Sequence, residues 1–149
     1  MSLGDTAESD LLKLLFNNTN WANLGDTVGV RGSSTAGSLF VSLHTGVLTD
    51  TSVQTTNEAA YTSYARVAVP RSVTGWTISG SSPTQAANTS ATTYPTCTGG
   101  SETETYFAVG RDVTGAGEIL WYGPLTSPLA VSLGITPSFA INQLVCTID

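Results

Sequence analysis

At 149 residues the chain has the length of one globular domain, which excludes two large ones. It is 40% hydrophobic but only 11% charged, and its 17 Ser and 24 Thr predict a surface rich in hydroxyls. Five basic residues against 11 acidic ones leave a net charge of −6, which a phosphate backbone would repel, so no nucleic-acid partner is expected.

The N-terminal stretch carries Asp5, Glu8 and Asp10 where a signal peptide would be positive, so export by a signal peptide is not expected. No apolar run approaches the roughly 18 residues of a membrane span, and no membrane partner is expected. Asp5-Thr-Ala-Glu8 has the form of a capping box, and Leu11, Leu12, Leu15 and Phe16 follow at helical spacing. The pattern predicts one amphipathic helix over residues 6–17. Alone in water so short a helix would be unstable, so its apolar stripe must be covered. A closed sandwich has little inner surface to spare, and the Gly-rich stretch 25–37 reads as a flexible connector. Leu11, Leu12, Leu15, Phe16 and Trp21 are therefore the candidate contact to another subunit or to a partner's surface. On this reading, residues 1–37 form a helix-and-connector arm and residues 38–149 a β-sandwich domain.

From Leu39 the apolar period becomes two. Leu39, Val41 and Leu43 alternate with Phe40, Ser42 and His44; Ala65, Val67 and Val69 alternate with Tyr64, Arg66 and Ala68; Trp76 and Ile78 follow in phase. The Ser-, Thr- and Ala-rich stretch 80–90 reads as an exposed loop. Further strands are predicted near 92–97, 105–110, 118–122, 130–135, 138–141 and 144–148. Turn signals separate them at Gly99-Gly100, Gly115-Ala-Gly117, Pro124, Pro128, Gly134 and Asn142-Gln143. Eight or nine short strands without crossover helices predict an antiparallel β-sandwich of jelly-roll type with one N-terminal helix. Val41, Val67, Trp76, Ile78, Phe107, Val109, Ile119, Trp121 and Phe139 are the predicted core.

Chemistry finds little purchase. Cys97 and Cys146 match neither a zinc knuckle nor a two-residue-spaced redox pair; they read as reduced, partly buried side chains, with a bridge between strand ends left open. One histidine excludes any site needing two imidazoles, and no acidic run resembles a calcium loop, so neither metal nor cofactor is expected. His44 could act as a base beside Asp50 or Asp26, but no G-x-S-x-G elbow supplies a nucleophile. Glu102 and Glu104 project from one strand face and cannot flank a sugar from both sides; they read as solvated edge charges. No enzymatic role is expected. The N-x-S/T matches at Asn17 and Asn88 are expected by chance in so Thr-rich a chain.

More specific is the succession Ser38-Leu-Phe-Val-Ser-Leu-His-Thr45, Gln54 to Val69, Thr105-Tyr-Phe-Ala-Val-Gly110, Ile119-Leu-Trp-Tyr-Gly-Pro-Leu125 and Phe139 to Ile148. Over about residues 10–149 it resembles a family of small tailed-phage virion proteins, variously tail-fibre-like or head decoration (cement) proteins. The resemblance implies a β-sandwich structural subunit with no catalytic residues to transfer. A head decoration protein is the leading expectation: bound outside the capsid, partnered by the major capsid protein, homo-oligomeric on the particle and assembled in the host cytoplasm. A tail-fibre or receptor-binding module is the alternative.

Overall fold

The computed structural model describes residues 3–148. The chain is mainly β, with antiparallel sheets and one N-terminal helix. By contact it divides into two units, each assembled from separated stretches of chain. The first comprises Met1–Ser38, Pro70–Ala91 and Ala140–Asp149; the second comprises Leu39–Val69 and Thr92–Phe139.

In the first unit, α1 (Asp5–Asn17) covers a sheet of order β3-β4-β9, with β3 Trp76–Ser79, β4 Thr84–Asn88 and β9 Val145–Ile148. The helix starts as the amphipathic pattern predicts, but the capping box is not made. Gly4 is the N-cap, without a side-chain cap, and Glu8 turns inward to accept a hydrogen bond from Thr84 Oγ1 at 2.8 Å. At the other end Asn18 adopts a left-handed conformation (φ 56°) and the Thr19 N–H reaches the Lys13 carbonyl. Arg71 then donates to the carbonyls of Leu14 (2.8 Å) and Leu15 (2.6 Å), placing a cation at the negative end of the helix. Leu12 and Phe16 are fully buried, and Phe16 meets the Trp76 ring edge-on at 4.8 Å between centroids.

Residues 80–90 are not an exposed loop. Thr84–Asn88 form the central strand of this sheet, and Ala86, Ala87 and Asn88 are buried. Small side chains here let the helix approach closely, which is why hydrophobicity does not reveal the strand. Asn88 is a latch: its amide donates to Ser90 O and Ala140 O and its Oδ1 accepts from the Leu144 N–H. Nor is the connector a flexible arm. Trp21 and Val30 exchange both backbone hydrogen bonds, Asp26 Oδ1 accepts from the N–H groups of Val28 and Gly29, and Asn18 and Asn20 hold Ser33 and Gly32. Gly29 (φ +68°) sits where an added Cβ would lie 2.0 Å from the Trp21 carbonyl oxygen. The anticipated division at residue 37 therefore does not follow the contacts, since residues before it pack with 70–91 and 140–149.

The second unit holds a sheet of order β2-β1-β6-β7, with β1 Ser38–His44, β2 Val67–Pro70, β6 Ser101–Gly110 and β7 Ile119–Ser132. A ribbon of β5 (Thr92–Thr93) and β8 (Ser138–Phe139) packs over it sandwich-fashion, with Phe139 against Phe107 at 5.7 Å and against Tyr94 at 6.3 Å. Cross-strand register aligns Val41 with Val109 and Val109 with Trp121. The expected core is present in both units. Val41, Trp76 and Val109 are fully buried, and Val67, Ile78, Phe107, Ile119, Trp121 and Phe139 are half-buried.

Two strands expected on either side of Pro124 and Pro128 are one 14-residue strand. β7 is the sheet edge, where a missing proline N–H leaves no ladder partner wanting. The turn chemistry survives as a bulge: residues 125–128 stand opposite the single Thr105, between the pairs Tyr106–Pro124 and Glu104–Leu129.

Candidate functional site

The residues expected to form an outward contact are not brought to one exposed surface. Leu12 and Phe16 are enclosed within their own unit, Leu11 and Leu15 are half-buried, and Trp21 is half-buried in the 21–30 hairpin. The apolar stripe is covered by β3 and β4, strands of the three-stranded sheet in the same unit.

His44 lies on β1, a central strand buried on both faces. Its Nδ1 is 2.8 Å from the Thr56 carbonyl and its Nε2 is 2.8 Å from Ser42 Oγ. A carbonyl can only accept, so Nδ1 carries the proton and the Ser42 hydroxyl donates to Nε2. This is the spacing of a serine activated by a base, yet both residues have no exposed surface. Burial lowers the His44 pKa below its ordinary 6.5, against the opposing effect of the Thr56 hydrogen bond. Asp50 is elsewhere, accepting from the Tyr122 hydroxyl at 2.6 Å.

Arg66, expected on a solvated face, is buried with a bidentate partner. Its Nε and Nη2 donate to the two Glu58 oxygens at 2.6 and 2.7 Å, and its remaining donors reach the carbonyls of Asp112 and Gly115. Tyr64 donates to Glu58 and accepts from the Leu43 N–H, and burial raises its pKa far above the ordinary value. Nothing in the alternation of residues 64–69 signals this, because the partner stands eight residues away in a loop.

Glu102 and Glu104 are not solvated edge charges. β6 lies between β1 and β7, and Glu104 is fully buried with neither carboxyl oxygen hydrogen-bonded. Burial, and then the neighbouring Glu102, push its pKa up to about 8. Glu102 is half-buried and accepts from the N–H groups of Ala60 (2.9 Å) and Tyr61 (2.8 Å).

Each unit carries an open depression. In the first, a groove of about 320 Å³ runs along the end of α1 between Lys13, Asn17, Thr19, Val73 and Ile78. In the second, a cup of about 190 Å³ beside the β7 edge is lined by Thr49, Asp50, Ser52, Ile119, Leu120 and Tyr122. Neither contains His44, Glu102 or Glu104. Cys97 and Cys146 are buried free thiols, and burial pushes the Cys146 thiol up to about 12. Among the described residues no three His, Cys, Asp or Glu side chains gather as a ligand set, and no helix is long and apolar enough to cross a membrane.

Compared with known families, residues 2–147 match the model of a family described as podophage GP4 fiber I protein gp80. No curated protein matches.

Proposed function

Because the chain belongs to the podophage fiber I family of GP4 gp80 and is thereby a structural protein of the phage virion, we propose that it serves as a subunit of a tail fibre. The match over residues 2–147 carries this reading, and it favours the fibre alternative over the head decoration that the resemblance first suggested. On this reading the chain's place is the fibre and its partners are neighbouring fibre subunits, in preference to the head surface and the major capsid protein.

The role is mechanical and adhesive rather than chemical. The imidazole has both nitrogens committed inside the protein, and the carboxyl with the most shifted pKa is enclosed without a path to substrate. The two open depressions carry hydroxyls, an amide, one ammonium (Lys13) and one carboxyl (Asp50) beside apolar walls, which suit contact with neighbouring subunits or a cell surface. Electron microscopy of intact particles bound by an antibody to this chain tests the proposal. Label confined to the tail fibres, with few copies per particle on a stained gel, is expected. Label spread over the head with hundreds of copies overturns it.

A further inference from the structure

Glu102 and Glu104 are two positions apart on β6 and so share a face of the strand. Glu104 sits there with no exposed surface and with both oxygens unpartnered. A carboxylate so placed would keep neither water nor a donor to stabilise its charge. Its neighbour is committed differently. One Glu102 oxygen receives two backbone N–H groups in succession, from Ala60 and Tyr61, and thereby ties that stretch of loop to the sheet.

The groups around Glu104 bring no counter-charge. From the 58–62 segment comes Tyr61, whose hydroxyl donates to the Pro95 carbonyl and whose pKa burial raises to about 12. From beside β5 comes Tyr94, fully buried with its hydroxyl unpartnered, and then the Cys97 thiol, which donates to Gly99 O. Opposite on β7 is Leu129. The buried guanidinium of Arg66 is spent on Glu58 and two carbonyls. A charge on Glu104 would stand on the same strand face as Glu102 with neither water nor a donor to offset it.

We infer that Glu104 is held as the neutral acid and that its proton lets Glu102 clasp the Ala60–Tyr61 backbone to β6, so that loss of the proton opens that stretch locally. With Glu104 neutral, nothing opposes the Glu102 oxygen that receives the two N–H donors. When Glu104 ionises, repulsion drives the half-buried Glu102 carboxylate toward solvent, the only direction in which its charge can be hydrated, and both donors are released. The opening is confined. Ala59 N–H is held by Leu43 O on one side and Thr62 N–H by Gly99 O on the other. Beside Glu104, the bulge at residues 125–128 supplies slack in the ladder.

The test is nuclear magnetic resonance of the full chain between pH 6 and 9.5. The Glu104 carboxyl carbon and the Ala60 and Tyr61 amides should titrate together with a midpoint near 8. Hydrogen-exchange protection of those two amides, corrected for base catalysis, should fall at least tenfold across that range, while Ala59 and Thr62 hold theirs. In Glu104→Gln, protection should not change with pH. A Glu104 carboxyl titrating in the ordinary carboxylate range overturns the inference, as does pH-independent protection in the native protein or an identical profile in the variant. Should the variant not fold, the carboxyl titration of the native chain decides alone.

Discussion

Truncating Phe16 to Ala separates a helix that belongs to its own unit from one that docks on a neighbour. Phe16 has no exposed surface, and its ring edge packs on Trp76. Removing a buried phenylalanine ring costs roughly 3 to 5 kcal/mol, and the lost aromatic pair places this site in the upper part of that range, at about 4 kcal/mol. Against a typical domain stability of roughly 5 to 15 kcal/mol this is a large fraction, equivalent to a melting point lower by roughly 10 °C for a chain of this size. Half-buried Leu11 and Leu15 should cost roughly 1 to 2 kcal/mol each when cut to Ala. The assay is urea unfolding followed by tryptophan fluorescence and far-ultraviolet circular dichroism at two protein concentrations tenfold apart. A loss for Phe16→Ala below about 1 kcal/mol, or one that shrinks as concentration rises, would refute intramolecular packing, because only a helix covered by another molecule obeys mass action.

Three further outcomes follow from buried polar contacts. Glu58→Gln should destabilise by roughly 3 to 5 kcal/mol in chemical denaturation, since it leaves the Arg66 guanidinium buried and half-paired, and a loss under about 1 kcal/mol would mean the pair is solvated. Gly110→Ala should cost roughly 1 to 3 kcal/mol, because the new Cβ would fall 2.2 Å from Gln54 Cδ, and thermal melts should show a smaller loss in a Gln54→Ala background. His44, its pKa lowered by burial, takes up protons more readily in the unfolded chain, so its contribution is present above pH 6.5 and is lost as pH falls below it. His44→Gln should flatten that part of the stability profile; an imidazole titrating above 6.5 in the folded protein would contradict the sign.

The parts of the fold legible in the sequence are those in which one side-chain period dominates. The helix, expected over 6–17, spans Asp5–Asn17, and β1 and β3 coincide closely with their alternating runs. β4 is hidden because a central strand beneath a helix needs small side chains more than large ones, and Thr-Gln-Ala-Ala-Asn shows no apolar alternation. The charged groups escape for another reason. Pattern assigns Arg66 and Glu104 to solvent and Glu8 to a capping box, whereas burial of each depends on what lies beyond the local pattern: Glu58 and two carbonyls for Arg66, Thr84 for Glu8, and for Glu104 the enclosing Tyr61 and Tyr94. Of the series Tyr61, Tyr64, Tyr94, Phe139, Phe107 in the second unit, only the two phenylalanines are legible as core, because its members come from four separate stretches of chain.

The interleaving of the two units governs how the protein can be made and cut. Successive stretches alternate between them, with crossings after Ser38, Val69, Ala91 and Phe139. No contiguous fragment therefore reproduces either unit, and a chain cut short before β9 loses a strand from the sheet that α1 covers. During synthesis α1 must wait some seventy residues for its sheet to appear, and that sheet gains its last strand only with residues 145–148. Four backbone links, instead of one, therefore tie the two units together covalently, so cutting any single crossing leaves them joined through the other three.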